Sequence, residues 1–97
     1  MSSKVSALVS LRKLLSEMES DCGLSQYAVG EKDVLYAALD EADTNHTVST
    51  AQIQNHQLVK NMPRATFFRA LLALEESGKL VRPDGTRRGK FKVDLSY

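Results

Sequence analysis

The run Met62-Pro63-Arg64-Ala65-Thr66-Phe67-Phe68-Arg69-Ala70-Leu71, continuing to Leu74-Glu75-Glu76-Ser77-Gly78, constrains this chain more than any other feature. At about 100° per residue, Pro63, Phe67, Ala70, Leu71 and Leu74 fall on one face of a helix. Pro63 suits the first turn because it has no N–H to leave unsatisfied. Ser77-Gly78 supplies the stop, and Lys79 sits where the negative end of the helix favours a cation. Arg64, Thr66 and Arg69 occupy the first two turns, with Arg64 and Arg69 projecting away from the apolar face. Such a face needs a core to cover it. The 97 residues make one domain that hides roughly 60–70% of its unfolded surface, enough for a small core.

The flanking segments predict the rest of that core. From about Ser3 to Ser20, Leu8, Leu11, Leu15, Met18 and Cys22 recur at the 3,4 spacing of a helical a/d stripe, which Val5 and Leu14 widen. Two to three heptads are too few for an autonomous coiled coil, so the stripe must pack on the domain's own body or on the same helix of a second subunit. Gly23 is expected to end this helix. We therefore divide the chain into an N-terminal dimerisation or packing helix (1–24) and a globular part (25–97). A second helix begins near Gly30, with Glu31 and Asp33 in its first turn and Val34, Leu35, Ala38, Leu39 and Ala42 inward. It ends at Asp43-Thr44-Asn45. Thr47-Val48 reads as extended, and Ser49-Thr50-Ala51-Gln52 as a capping box for a short helix with Ile53 inside. A connector, Leu58-Val59-Lys60-Asn61, precedes the helix at 62–77. After it come a strand, Leu80-Val81-Arg82, a turn, Pro83-Asp84-Gly85, and the alternating Lys90-Phe91-Lys92-Val93-Asp94-Leu95, which puts Phe91, Val93 and Leu95 inside.

Charge is divided along the chain. Residues 1–49 carry four Lys/Arg against eight Asp/Glu, a net of −4, whereas residues 50–97 carry nine against four, a net of +5. The second half therefore suits a polyanion, unless the division is chance scatter of surface charge. No apolar run approaches the ~18 residues of a membrane span, and Met1-Ser2-Ser3-Lys4 leads into no signal-peptide core, so a cytoplasmic location is expected. Cys22 is the sole cysteine, which precludes an internal disulfide. It reads as a small buried apolar residue, with a redox switch as the alternative. With only His46 and His56 besides, the ligand set of a zinc site is missing, and no cofactor is expected.

The order helix, helix, short strand, helix, helix, hairpin is that of a mainly α fold with a small β-hairpin. Specifically, the chain resembles the winged helix-turn-helix bacterial transcription regulators of the MarR type and their relatives, with an extra N-terminal helix. The resemblance spans residues 29–95. It rests on Val29-Gly30-Glu31-Lys32-Asp33-Val34-Leu35, on Met62 to Leu71, and on Leu74-Glu75-Glu76-Ser77-Gly78-Lys79-Leu80-Val81. Arg64, Thr66, Phe68 and Arg69 stand at the recognition-helix positions of such regulators. Three departures matter. The connector is about two residues longer and lacks the customary Gly, with Asn61 as the candidate for a left-handed conformation. Pro63 stands where Ser often donates to a phosphate, and Leu72 and Ala73 replace common Lys or Arg.

The resemblance implies binding to double-stranded DNA, with the helix at about 62–77 in the major groove and the wing at 80–95 on the backbone or minor groove. Arg64 and Arg69 could each pair with a guanine edge or hold phosphates, and Thr66 could meet a thymine methyl or a phosphate. Arg82, Arg87, Arg88 and Lys90 make the wing basic, Arg87 and Arg88 being the candidates for a narrow minor groove. Thr50, Lys60 and Asn61 flank the motif, and Phe68 completes the site. Lys79 and Lys92 are read as solvated surface. A homodimer is expected through Leu8, Leu11, Leu15 and Met18. Phe68 and Leu72 lie off the Phe67/Leu71/Leu74 face; covering each contributes on the order of 1.5–3 kcal/mol, so the first helix or a second subunit is expected to pack there. A rival reading is a protein-interaction winged-helix module that binds no DNA directly. An enzyme is not expected: Ser49, His46 and Asp43 lie close together but have ready roles in a turn and a cap, and no phosphate-cradling glycine loop is present.

Overall fold

The computed structural model describes residues 3–82 and 89–94. Four helices, α1 (Ser3–Asp21), α2 (Val29–Glu41), α3 (Thr50–Gln54) and α4 (Arg64–Glu76), are joined by three strands, β1 (Thr47–Ser49), β2 (Leu80–Val81) and β3 (Lys90–Val93). The strands form one antiparallel sheet in the order β1-β3-β2, so the extended piece before α3 pairs with the last strand. Val48 lies opposite Phe91, and Leu80 opposite Val93. The expected hairpin is thus the outer two-thirds of a three-stranded sheet. Its turn at 83–85 and Leu95 lie outside the described residues.

Local chemistry sets each boundary. Both α1 and α4 end in paired bonds of the Schellman type. At α1 the Leu24 N–H donates to the Glu19 carbonyl and the Gly23 N–H to Ser20; at α4 the Lys79 N–H donates to Leu74 and the Gly78 N–H to Glu75. The glycine in each case takes a positive φ, 73° at Gly23 and 84° at Gly78. The Ser49/Gln52 capping box is present at α3. Helix α2 stops at Glu41, ahead of the Asp43-Thr44-Asn45 cluster, because the Asp43 carboxylate accepts the N–H groups of Asn45 and Thr47 and folds the chain into a turn. Those two bonds hold the Asp43 carboxyl below the usual carboxylate range.

Two details of the helix 62–77 differ from expectation. Pro63 is the residue before the helix rather than within its first turn, with ψ at 142°, and it is exposed rather than part of the buried face. Asn61 is not left-handed. Among the described non-glycine residues only His46 has a positive φ, in the turn after α2. Residues 55–62 instead close through hydrogen bonds of Val59 and Lys60 to the His56 carbonyl and of Met62 to the Val59 carbonyl, so no glycine is needed.

Helices α2, α3 and α4 pack on the sheet around Val34, Leu35, Ile53, Phe67, Leu74 and Leu80, each at most 1% exposed. Ala37 and Val59, unmarked by periodicity, are also buried, whereas Leu39 and Ala42 are only partly so. Helix α1 stands apart from this body, and the molecule is correspondingly long, 54 × 27 × 25 Å. Its tie is at its last turns. Glu19, the one buried residue of α1, receives a hydrogen bond from Lys32 Nζ at 2.8 Å and another from the Tyr36 hydroxyl. These two bonds lower the Glu19 pKa, while burial and the neighbouring carboxylate raise that of Tyr36. Cys22, expected inside, is exposed one residue past the helix. No described helix is long and apolar enough to cross a membrane.

Candidate nucleic-acid interface

Burial of Phe67, Ala70, Leu71 and Leu74 fixes the rotation of α4 and so decides which of its residues meet solvent. Arg64, Ala65, Phe68, Arg69 and Leu72 are all exposed. Arg64 and Arg69 lie five residues apart, about 140° around the helix, yet both lean onto its outward side. The Arg64 guanidinium lies 5.1 Å above the Phe68 ring centroid, and Arg69 Nε donates to the Ala65 carbonyl at 3.3 Å. Phe68 is 40% exposed and held from beneath by Phe67, whose ring meets it edge-on at 5.1 Å. The outward face in the first two turns is therefore an apolar ridge, Ala65 and Phe68, with a guanidinium on either flank.

Thr66 is not part of that face. It is half-buried, and its methyl group lies above Gly30 of α2, where an added Cβ would come within 3.8 Å of it. The cause is helical phase: Thr66 precedes the buried Ala70 by one turn and shares its side.

Other expected residues line two grooves, one that includes Arg64 and one that includes Phe68. Lys60 and Arg64 share a polar groove with Gln54 and Asn55, at the end of α3. Thr50, Phe68, Leu72, Arg82 and Gly89 line the groove between α4 and the sheet. Asn61 is exposed beside the first, and Lys90 on the outer side of β3. Arg87 and Arg88 lie outside the described residues.

Two of these side chains have partners of their own. The Thr50 hydroxyl donates to the Gly89 carbonyl at 3.1 Å, and the Thr50 N–H donates to the same oxygen at 2.6 Å, so Thr50 fastens α3 to the start of β3. Arg82 Nε donates to Glu75 Oε2 at 2.7 Å, and its guanidinium lies 5.4 Å above the Phe91 ring centroid. Helix α4 is thereby basic at its first end and acidic at its last, where Glu75 and Glu76 stand. Leu72 is 54% exposed, and α1, one of the two expected sources of cover, does not pack on it or on Phe68. The stripe of α1 belongs to a helix that leaves the body at Glu19, so it does not reach α4.

Sequence reasoning missed Gln54, Asn55 and the Glu75–Arg82 pair. The i, i+4 spacing of Arg64 and Phe68 was a readable signal of their stacking. No spacing rule joins Glu75 to Arg82, since their pairing depends on how β2 returns past α4.

Other clusters of reactive groups have structural duties. Ser49 caps α3 and Asp43 holds its own turn, while His46 sits exposed in that turn. Ligand atoms of Asp40, Glu41 and His56 lie within 4.8 Å of one another. His56 Nδ1 accepts the Leu58 N–H at 3.1 Å, so the ring proton is on Nε2, which donates to Asp40 Oδ2 at 2.7 Å. That leaves no lone pair on Nε2 for an ion; the imidazole clasps the turn after α3 to the end of α2. No protein-family model, curated protein or solved structure matches the chain.

Proposed function

We propose that this chain is a winged helix-turn-helix regulator of transcription that binds double-stranded DNA. In this reading α2, α3 and α4 are the three-helix core, α4 is the recognition helix, and β2 and β3 form the wing. The observation that carries it is the outward face of α4. A helix locked to the core by Phe67, Leu71 and Leu74 presents Arg64, Phe68 and Arg69 from its first two turns, and N-terminal residues of a recognition helix are those that meet base edges. The positive end of α4 favours phosphate there, and Lys60 lies in the same groove as Arg64. Phe68 suits the thymine C5-methyl, the apolar group of the major groove. Toward the other end of α4, Glu75 pairs with Arg82 at the edge of the groove that Thr50 and Phe68 line.

Retention on random duplex DNA across a salt series tests this. With about five or six phosphates neutralised per subunit, log affinity falls against log salt with a slope near −5. A flat response removes the electrostatic basis of the proposal.

One observation favours a second reading, a winged-helix module that binds protein instead. Phe68 and Leu72 leave an apolar strip on α4, and Arg82 is turned onto Glu75. Absence of any gel shift with random duplex at low salt would select this alternative. The proposed location for either is the cytoplasm.

A further inference from the structure

We propose that α4 reads a guanine next to a pyrimidine that carries a C5 methyl group, with Arg64 on the guanine and Phe68 on the methyl, so that 5-methylcytosine serves as well as thymine. The inference rests on the DNA-binding reading above and adds the chemical mark that the duplex must carry. It starts from the side of α4 turned away from the core. At about 100° per residue, Ala65, Phe68 and Leu72 fall within roughly 60° of one another there, and all three are exposed. Arg64 and Arg69 border this strip on its two sides. A phosphate offers an apolar strip nothing to contact. In the major groove the prominent apolar group is the C5 methyl, which thymine shares with 5-methylcytosine and which cytosine and uracil lack.

Two contacts fix how this strip would meet a base step. The Phe68 ring stands edge-on to the ring of Phe67, and Phe67 is fully enclosed, so the core sets where Phe68 sits. The Arg64 guanidinium lies over the Phe68 ring, 5.1 Å from its centroid. None of its N–H groups has a hydrogen-bond partner among the described residues, so its donor edge is left for a ligand. A guanidinium bonded to O6 and N7 of guanine lies in the plane of that base. A ring against its face then falls level with the adjacent base pair, since successive bases are about 3.4 Å apart along the helix axis. Arg64 and Phe68 thus work as one unit. The ring steadies the guanidinium for the guanine, and the exposed part of the same ring meets the methyl of the next pair.

Duplexes selected from a random pool by the full chain should share such a step. In one selected duplex the pyrimidine of that step is then varied in two pairs that differ by the methyl alone. The first sets thymine against uracil, both opposite adenine; the second sets 5-methylcytosine against cytosine, both opposite guanine. Each loss of the methyl is expected to weaken binding about fourfold, the value of one buried methyl group. Phe68→Ala should erase both differences and leave the salt slope unchanged. Arg64→Ala should cost about tenfold on the selected duplex and far less once the guanine has been replaced. Circular dichroism verifies that each variant keeps its fold, and the base substitutions against the wild-type chain decide the matter even where a variant does not. Equal binding of the thymine and uracil duplexes, a methyl preference that survives Phe68→Ala, or selected duplexes with no shared step would overturn the inference and leave DNA binding standing. A chain that retains no duplex at low salt overturns both the inference and the reading beneath it.

Discussion

Helices α1 and α4 carry stripes of similar apolar content, yet their fates differ. Helix α4 buries Phe67, Ala70, Leu71 and Leu74, whereas the only buried residue of α1 is a glutamate. The difference teaches that a stripe specifies a need for cover, not its source. Helix α4 follows a connector that returns it across α2, and its stripe closes the core. Helix α1 ends in a tight turn at Gly23 and is joined to the body by a polar clasp, so its stripe points outward. One helix uses its apolar side to build the domain and leaves Arg64, Phe68 and Arg69 exposed on the other; the second helix has its exposed side chains on the apolar side itself.

The sharpest way to break this contrast is truncation of one leucine from each stripe. Leu74 is fully enclosed, and Leu74→Ala should cost about 2–5 kcal/mol of folding stability through lost burial and a residual cavity. Leu11 is 61% exposed, and Leu11→Ala should change the monomer's stability by no more than about 0.5 kcal/mol. Urea denaturation at low protein concentration compares the two. Equal losses would mean that α1 packs on its own body after all.

The next effect concerns the free side of α4. If Arg69 reads a base, Arg69→Ala should cost about 1–3 kcal/mol on a selected duplex and relax the preference at one position. Lys60→Ala, on a backbone contact, should weaken all sequences alike and reduce the salt slope by about one. Selection of bound duplexes from a random pool, followed by titration of both variants, separates the roles. A uniform loss for Arg69→Ala would make it a phosphate holder.

Much of this was legible from residue order. The ends of α1 and α4 and the start of α3 follow from the Gly23, Ser77-Gly78 and Ser49/Gln52 signals, because caps and glycine stops are local chemistry; the end of α3 at Gln54 and the start of α4 at Arg64 do not. The core positions of α4 follow from period. What the sequence withheld is what depends on the return path of distant segments: the pairing of β1 with β3, the Glu75–Arg82 contact, and the burial of Ala37 and Val59. Thr66 was misplaced for a related reason. Thr66 is polar by residue type, yet it stands one turn before the buried Ala70, Gly30 opens space beside it, and α2 approaches closely enough to half-bury it. In the same way an exposed Cys22 follows from the projection of α1, which no composition rule encodes.

A third effect falls on the anchor of α1. Hydrogen bonds from Lys32 and Tyr36 lower the Glu19 pKa beneath its ordinary 4.5, so the native state binds this proton less readily than the unfolded chain does. The contribution of Glu19 is therefore complete above pH about 4.5 and is lost as pH falls through the lower native value. Acidification should release α1 before the core unfolds. In NMR spectra, contacts between the Tyr36 ring and the Glu19 methylenes should fade over that range while those of Phe67 with its core neighbours persist. Glu19→Gln should remove the acid dependence.

The smallest effect probes the acidic end of α4. Arg82 is 61% exposed on its side chain, so its pairing with Glu75 is worth at most about 1 kcal/mol and is screened by salt. Folding stability should hardly change in Glu75→Gln. Binding to DNA is another matter, because the substitution removes a negative charge and releases a guanidinium at the edge of the groove that Phe68 and Thr50 line. Affinity for random duplex should rise a few-fold at low salt and converge with the wild type at high salt, since the gain is electrostatic. An unchanged affinity would place Arg82 outside the interface and leave Arg64, Arg69 and Lys60 as the described contacts. A fall in affinity would instead mean that Glu75 holds Arg82 in its binding position, and that the salt bridge over Phe91 is part of the site rather than a competitor for it.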